Sequence, residues 1–269
     1  MLFPLIAIFI LILLYVLALR GRTGHPLLRK FRRWKYAHRG LHGNGVPENS
    51  LAAFQLALEN GYGIELDVHL LADGNLAVIH DASLKRTVGA DALIESLTTD
   101  ELSDYHLEGT EQTIPTFQQV LDLFGGKAPL IVELKPENNN HAILSKTACE
   151  MLADYPGLYC IESFDPRCIR WLKKNRPDIV RGQLAHNSMK EGAGNVPYIL
   201  RFLMTNLLSN FWNTPDFIAY RFCDRQRLSV RIARKFWRIQ GASWTLVNQE
   251  EFDTAAAENW IPIFEGFRP

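Results

Sequence analysis

Three acids and two histidines in the first half of the chain have the types and spacing to do chemistry together. Glu65 and Asp67 stand two apart in the apolar run Gly63–His69. On a strand that spacing turns both carboxylates to one face. Glu133 sits near the end of a second run, Leu130–Lys135. Three carboxylates gathered at one point repel unless a proton or a cation neutralises them, and hard oxygen donors select Mg²⁺ or Ca²⁺ over zinc. His38 and His80 follow apolar runs of their own. Imidazole titrates near neutrality, which suits a general base and a general acid. Arg39 and Lys135 add fixed positive charge, and a guanidinium matches phosphate oxygens with paired hydrogen bonds. A single acid of this kind reads as solvated or salt-bridged; three beside two histidines point to a metal and an anionic substrate. His69 alternates in phase with Glu65 and Asp67 and ranks below His38 and His80. His25, His42, His106, His141 and His186 are read as structural.

Such a cluster needs elements that bring it together. Eight strands are predicted, near Lys35–Arg39, Gly63–His69, Leu130–Lys135, Leu158–Phe164, Val180–Leu184, Asp216–Phe222, Ala242–Val247 and Ile261–Phe264. Helical patterns fall between them, at 50–60, 116–124, 142–154, 166–175, 197–210, 226–239 and 250–258. Alternating strands and helices imply a parallel sheet. Eight such units in about 235 residues suit an α/β fold of the (β/α)₈ TIM-barrel type, in which the site lies at the C-terminal ends of the strands. A doubly wound open sheet is the alternative. Asp73-Gly74-Asn75 reads as a hairpin turn returning through Ala77–His80, and residues 81–114 as a small insertion after strand two.

The chain has 269 residues, 47% of them hydrophobic and 22% charged, which excludes disorder and coiled coil. Its four cysteines lack C-x-x-C spacing and are too few for a disulfide scaffold. Net charge is zero, but residues 1–47 carry eight Lys or Arg and no acid, whereas the remainder holds all 29 acids. That acidic body argues against nucleic acid as a partner. Leu2–Leu19 is an unbroken apolar run followed at once by Arg20, Arg22, Arg29, Lys30, Arg32, Arg33 and Lys35. Residues 1–20 are therefore expected to form one transmembrane anchor and 21–34 a basic juxtamembrane linker, with the catalytic domain over 35–269. A cleaved signal peptide is the rival reading; it would want a basic start and a small-residue cleavage site. Charge after the span and none before it favour a single-pass protein of the cell membrane with its domain in the cytoplasm.

The motifs resemble those of the glycerophosphodiester phosphodiesterase family. Tyr36-Ala37-His38-Arg39-Gly40, Pro47-Glu48-Asn49-Ser50, Ile64-Glu65-Leu66-Asp67-Val68, Asp73-Gly74, His80-Asp81 with Leu84 and Arg86-Thr87, Ile114-Pro115-Thr116-Phe117 and Glu133-Leu134-Lys135 occur in the family's order. Ser163-Phe164, Trp244-Thr245 and Asn248 match later signatures. The resemblance implies a divalent cation held by Glu65, Asp67 and Glu133, and His38 and His80 as the acid/base pair. It implies Arg39 and Lys135 on the phosphate, and Glu48 orienting Arg39 or completing the metal surroundings. The implied reaction is hydrolysis of a glycerophosphodiester to an alcohol and glycerol 3-phosphate. A lysophospholipase D reaction on membrane lysophospholipids is a second reading, and an inactive tethered barrel that binds phosphodiesters a third. The C-terminal Glu265-Gly266-Phe267-Arg268-Pro269 departs from the family pattern, and no function is assigned to it.

Overall fold

Alternation of side chains along each strand sorts the apolar residues into two cores. A computed structural model describes residues 2–190 and 196–269; Met1 of the expected anchor lies outside them. Among the described residues the strands are β1 (Tyr36–His38), β2 (Gly63–Leu70), β3 (Leu76–Val78), β4 (Leu130–Leu134), β5 (Tyr159–Ser163), β6 (Arg181–Ala185), β7 (Phe217–Arg221), β8 (Gln240–Leu246) and β9 (Trp260–Phe264). All but β3 run parallel to their neighbours, and β1 pairs with both β2 and β9. That double pairing closes the ring as a TIM barrel and sets aside the open sheet. The hairpin strand β3 returns antiparallel beside β2.

The helices are α1 (Leu2–Ala18), α2 (Leu28–Phe31), α3 (Leu51–Glu59), α4 (Phe117–Phe124), α5 (His141–Met151), α6 (Pro166–Asn175), α7 (Tyr198–Thr205), α8 (Asn210–Asn213), α9 (Leu228–Arg231) and α10 (Gln249–Ala257). Local chemistry fixes several starts. The Ser50 hydroxyl accepts from the Ala53 N–H, Thr116 and Gln119 form a reciprocal capping box, and Asp165 caps α6 with Pro166 at its first position. Two expected helices are broken. The 197–210 pattern divides into α7 and α8 at Leu207, whose φ is +56°, and the 226–239 pattern opens after α9 into a π-helical turn over Ile232–Phe236.

The outer core lies between strands and helices and contains Ile64, Leu66, Val68, Leu130, Val132, Ile161, Ile218 and Tyr220. The inner core fills the base of the barrel with Tyr36, Ile131, Cys160, Phe217, Ala219, Ala242, Ile261 and Ile263. A Cβ on Gly182 would stand 2.1 Å from the Phe217 ring, so only glycine leaves space for that ring. Residues 81–114 form the expected insertion, three short 3₁₀ turns around their own cluster of Leu84, Ile94, Leu97, Leu102 and Leu107.

The basic stretch 21–34 is not a free linker. Leu28 and Phe31 are buried in the inner core and plug the base of the barrel. Arg22 is paired with Asp216 and donates to the Pro177 carbonyl. The apolar run folds as α1, 17 residues long, and no helix among the described residues is long and apolar enough to cross a membrane. The end of α1 packs on the barrel flank: Trp237 Nε1 donates to the Val16 carbonyl at 2.7 Å, and Leu19 is fully buried. Tyr15 lies beside Ser229 and Arg227 near the mouth, whereas Arg22 meets Pro215 at the base. The helix therefore descends along the flank, and its earlier residues extend on the mouth side.

Candidate active site

Strand register assembles the charged groups. β2 and β4 place Asp67 beside Glu133, β4 and β5 place Glu133 beside Glu162, and β1 and β2 place His38 beside Glu65. All four acids are buried. Glu65, Asp67 and Glu133 each offer a carboxylate oxygen, and these lie within 4.8 Å of one another. Glu65 and Glu133 line a cavity of about 270 Å³ together with His38, Arg39, His80 and Glu162.

Electrostatics within the cluster are strongly uneven. Burial, followed by repulsion from Asp67, Glu133 and Glu162, raises the Glu65 carboxyl well above the usual range. Burial and Asp67 also raise Glu133, against the opposing pull of Lys135. Burial disfavours charge on Asp67 too, yet Lys135, His80, Arg39 and the Asn49 amide outweigh it and hold that carboxyl far below its usual range. Lys135 Nζ lies 3.1 Å from Asp67 Oδ1 and 2.7 Å from Glu133 Oε1. Neither oxygen accepts an aligned hydrogen bond from the described residues, although both are buried. Clustered oxygen donors with unsatisfied lone pairs, two of the acids resisting ionisation for want of positive charge, fit a hard divalent cation. Glu65, Asp67 and Glu133 are the residues placed to hold it.

Each histidine is oriented by its own acid. His38 Nδ1 lies 2.7 Å from Glu265 Oε2, and His80 Nδ1 lies 2.6 Å from Asp81 Oδ1. Such a bond fixes the tautomer and leaves Nε2 for the cavity. Burial first, then the nearby cations Lys135 and Arg39, lowers the His80 pKa despite Asp67 and Asp81. Arg39 takes a positive φ of 54° and turns its N–H toward Glu65 Oε2 at 3.2 Å. Its guanidinium donates to Glu48 Oε1 at 3.0 Å and lies 3.5 Å from Asp67. Gly40 follows at φ +82°, and a Cβ there would stand 2.8 Å from the Ala53 side chain. Glu48 also receives Arg86 at 2.6 Å, and Arg86 pairs with Asp81. One chain of ion pairs thus joins Arg39, Glu48, Arg86, Asp81 and His80. Glu48 stands behind Arg39 in it and is absent from the three-carboxylate cluster.

Residues 38–264 match the glycerophosphoryl diester phosphodiesterase family. The chain belongs to this family. A glycerophosphodiester phosphodiesterase of Bacillus altitudinis is 40% identical over 111 residues, 39% of this chain and 45% of that one. Another, from Caldanaerobacter subterraneus subsp. tengcongensis, is 35% identical over 158 residues, 55% of this chain and 65% of its own. The chain thus spans about half to two thirds of the length of these curated relatives. The solved structure of an Oleispira antarctica phosphodiesterase in complex with the product sn-glycerol-3-phosphate superposes with a TM-score of 0.72 at 21% identity, over 91% of this chain and 95% of that one.

Within this family member several residues of the site were not singled out from sequence. Glu162 lies inside a short apolar strand, yet its period-two phase with Cys160 and Phe164 turns it inward. Glu265, in the segment left without a role, contacts both His38 and His42, the latter at 3.5 Å. His186, read as structural, lines the cavity. Asn49 appears only as part of a motif; its amide donates to Asp67 Oδ2 at 2.8 Å. His69 is buried with Nε2 3.2 Å from the His80 carbonyl, so it braces that loop.

Proposed function

We propose that this chain hydrolyses glycerophosphodiesters to an alcohol and glycerol 3-phosphate. The observation that carries the reading is the meeting of His38, His80, Arg39, Glu65 and Glu133 around one cavity at the barrel mouth, with Asp67 completing the carboxylate cluster. A divalent cation bound by that cluster would supply Lewis acidity and neutralise charge on the phosphate. Mg²⁺ and Ca²⁺ both suit the donor set. Arg39, braced by Glu48, holds a phosphate oxygen and stabilises charge that grows in the transition state. One histidine takes a proton from the attacking water, and the other gives a proton to the departing alkoxide. Glu265 and Asp81 keep the two rings in register for these transfers. Lys135 balances the acids and faces the phosphate from the β4 side.

The test is a screen of the purified full chain with Mg²⁺, Ca²⁺ and Mn²⁺ on glycerophosphocholine and glycerophosphoethanolamine, reading released alcohol and glycerol 3-phosphate. Binding without turnover under every ion would leave the inactive-binder reading standing instead.

We further read α1 as the attachment of this barrel to the cell membrane, with the barrel in the cytoplasm. Its exposed apolar surface supports this: Phe3 is 85% and Phe9 66% exposed. Deleting residues 2–14 should release the protein from membranes in a flotation assay; continued flotation would remove the role.

A further inference from the structure

Charge at the base of the barrel is as uneven as charge at the mouth. The basic stretch 21–34 and the start of β8 enclose a cavity there of about 450 Å³, with Thr23, His25, Arg29, Arg32, Asp216 and Arg238 in its wall. That volume lies within the roughly 300–1,000 Å³ range of small-molecule sites. Asp216 precedes β7 and Arg238 precedes β8, so the cavity lies at the opposite end of the cylinder from Arg39 and the carboxylate cluster.

The wall holds one acid, and that acid is already satisfied. Arg22 donates through Nε and Nη2 to the two oxygens of Asp216, and the Arg181 N–H donates to it at 3.0 Å. His25 is likewise spent: its Nε2 lies 3.1 Å from the Asp178 carbonyl, and its Nδ1 accepts the Leu27 N–H at 3.3 Å. Arg32 donates to the neutral Asn259 side chain at 3.2 Å, and among the described residues no acid pairs with Arg29, Arg32 or Arg238. Three guanidinium groups thus line one concave space without a counter-ion. The surplus extends behind the wall. Arg181 is 2% exposed, and its Nε and Nη1 have no hydrogen-bond partner among the described residues. Burial first, with Arg22 adding to it and Asp216 opposing, pushes its pKa down to about 10. Arg234 is pushed down to about 10 by burial, and Arg32 adds to that effect against Glu258. Like charges crowded in this way repel until an anion joins them.

We propose that the cavity at the base binds a soluble anion bearing two or more phosphoryl groups. The planar fork of a guanidinium matches phosphate oxygens with paired hydrogen bonds, and three forks exceed what one phosphate dianion neutralises. α1 extends on the mouth side, so the base is turned away from any bilayer that grips its apolar residues. A concave site also suits a small ligand better than a flat layer of headgroups. The bound anion bridges two stretches far apart in sequence, 23–32 and Arg238. Leu28 and Phe31 of the first stretch plug the barrel, so occupancy fastens the plug to the wall. The inference stands apart from the phosphodiesterase reading.

The experiment measures binding of sodium tripolyphosphate to the full chain in detergent micelles by calorimetry, in metal-free buffer where the catalytic acids repel an anion. A saturable site is expected, with a raised thermal midpoint and an affinity that falls as salt rises. Arg29→Ala and Arg238→Ala should each weaken binding about tenfold. Hydrolysis of glycerophosphocholine by the same two variants, assayed with metal, should stay within about twofold of the wild type. Arg39→Ala should leave the affinity for tripolyphosphate within about twofold, and inorganic phosphate should bind at least about tenfold more weakly. Absence of binding, or binding lost in Arg39→Ala and kept in the two base variants, would overturn the site. Equal affinity for inorganic phosphate would remove the requirement for a second phosphoryl group. Flotation on phosphatidylcholine vesicles with and without phosphatidylinositol 4,5-bisphosphate separates a lipid-borne source. A gain from that lipid that Arg29→Ala and Arg238→Ala abolish, with no binding of tripolyphosphate, would replace the soluble ligand by a membrane.

Discussion

The base and the mouth of this barrel are built from the same strands, one or two inward positions apart. Tyr36, Ile131, Cys160, Phe217 and Ala242 face inward at the base; His38, Glu133, Glu162, Arg221 and Trp244 follow on the same strands toward the mouth. A step of two residues is about 6.6 Å. Within that step the barrel interior changes from a close-packed apolar plug to a cluster of buried charge. The base gains stability from every buried ring, whereas the mouth concentrates like charges that only a cation and a few fixed donors reconcile. Stability and chemistry are separated by height in one cylinder, and each can be broken without the other.

The largest effect should come from removing the cation. Excess EDTA should abolish hydrolysis, and Glu65→Ala should lose both activity and its response to added metal; full turnover in EDTA would contradict the cluster's role. Next, His38→Ala and His80→Ala should each lower kcat by at least about 10²-fold while the thermal midpoint stays near that of the wild type. Wild-type turnover in both would remove them from the reaction. At the base the pattern reverses. Phe217→Ala should cost about 3–5 kcal/mol in denaturant unfolding, with activity per folded molecule largely kept. A smaller effect is expected behind His80. Burial first, then the cations Lys135 and Arg39, lowers its pKa, so the limb of the kcat/KM profile that reports His80 should lie to the acid side of an unperturbed histidine's. Asp81 opposes that shift, so Asp81→Asn should move the limb to still lower pH and reduce the rate; a limb moving upward would show that Asp81 does not orient the ring. The smallest effect is assigned to Glu162. Burial first, then Glu133, raises its carboxyl well above the ordinary range, so Glu162→Gln, its isosteric neutral form, should alter kcat by less than about threefold. A large loss would give that acid a charged role.

The eight barrel strands were legible because short apolar, β-rich runs set between helical patterns are local signals. The row of acids was legible for a related reason: two carboxylates two apart on a strand share a face without any knowledge of tertiary contacts. What escaped was long-range. Glu265 meets His38 across 227 positions, and only closure of β1 onto β9 brings them together. The role of the 21–34 segment was misread because a run of Arg and Lys masks the two residues that matter, Leu28 and Phe31, which fill the base only once the ring exists. The broken helices at 197–210 and 226–239 were also hidden. Their periodicity continues across Leu207 and across the π-helical turn, and the break shows in backbone angles alone.

A tether usually acts as a leash, whose slack sets how far its cargo wanders. Here the chain between α1 and β1 has little to give: Val16 is clasped by Trp237, Arg22 by Asp216, and Phe31 is sunk in the barrel floor. Whatever grips the first helix therefore sets the attitude of the whole cylinder, and with it the heading of the opening.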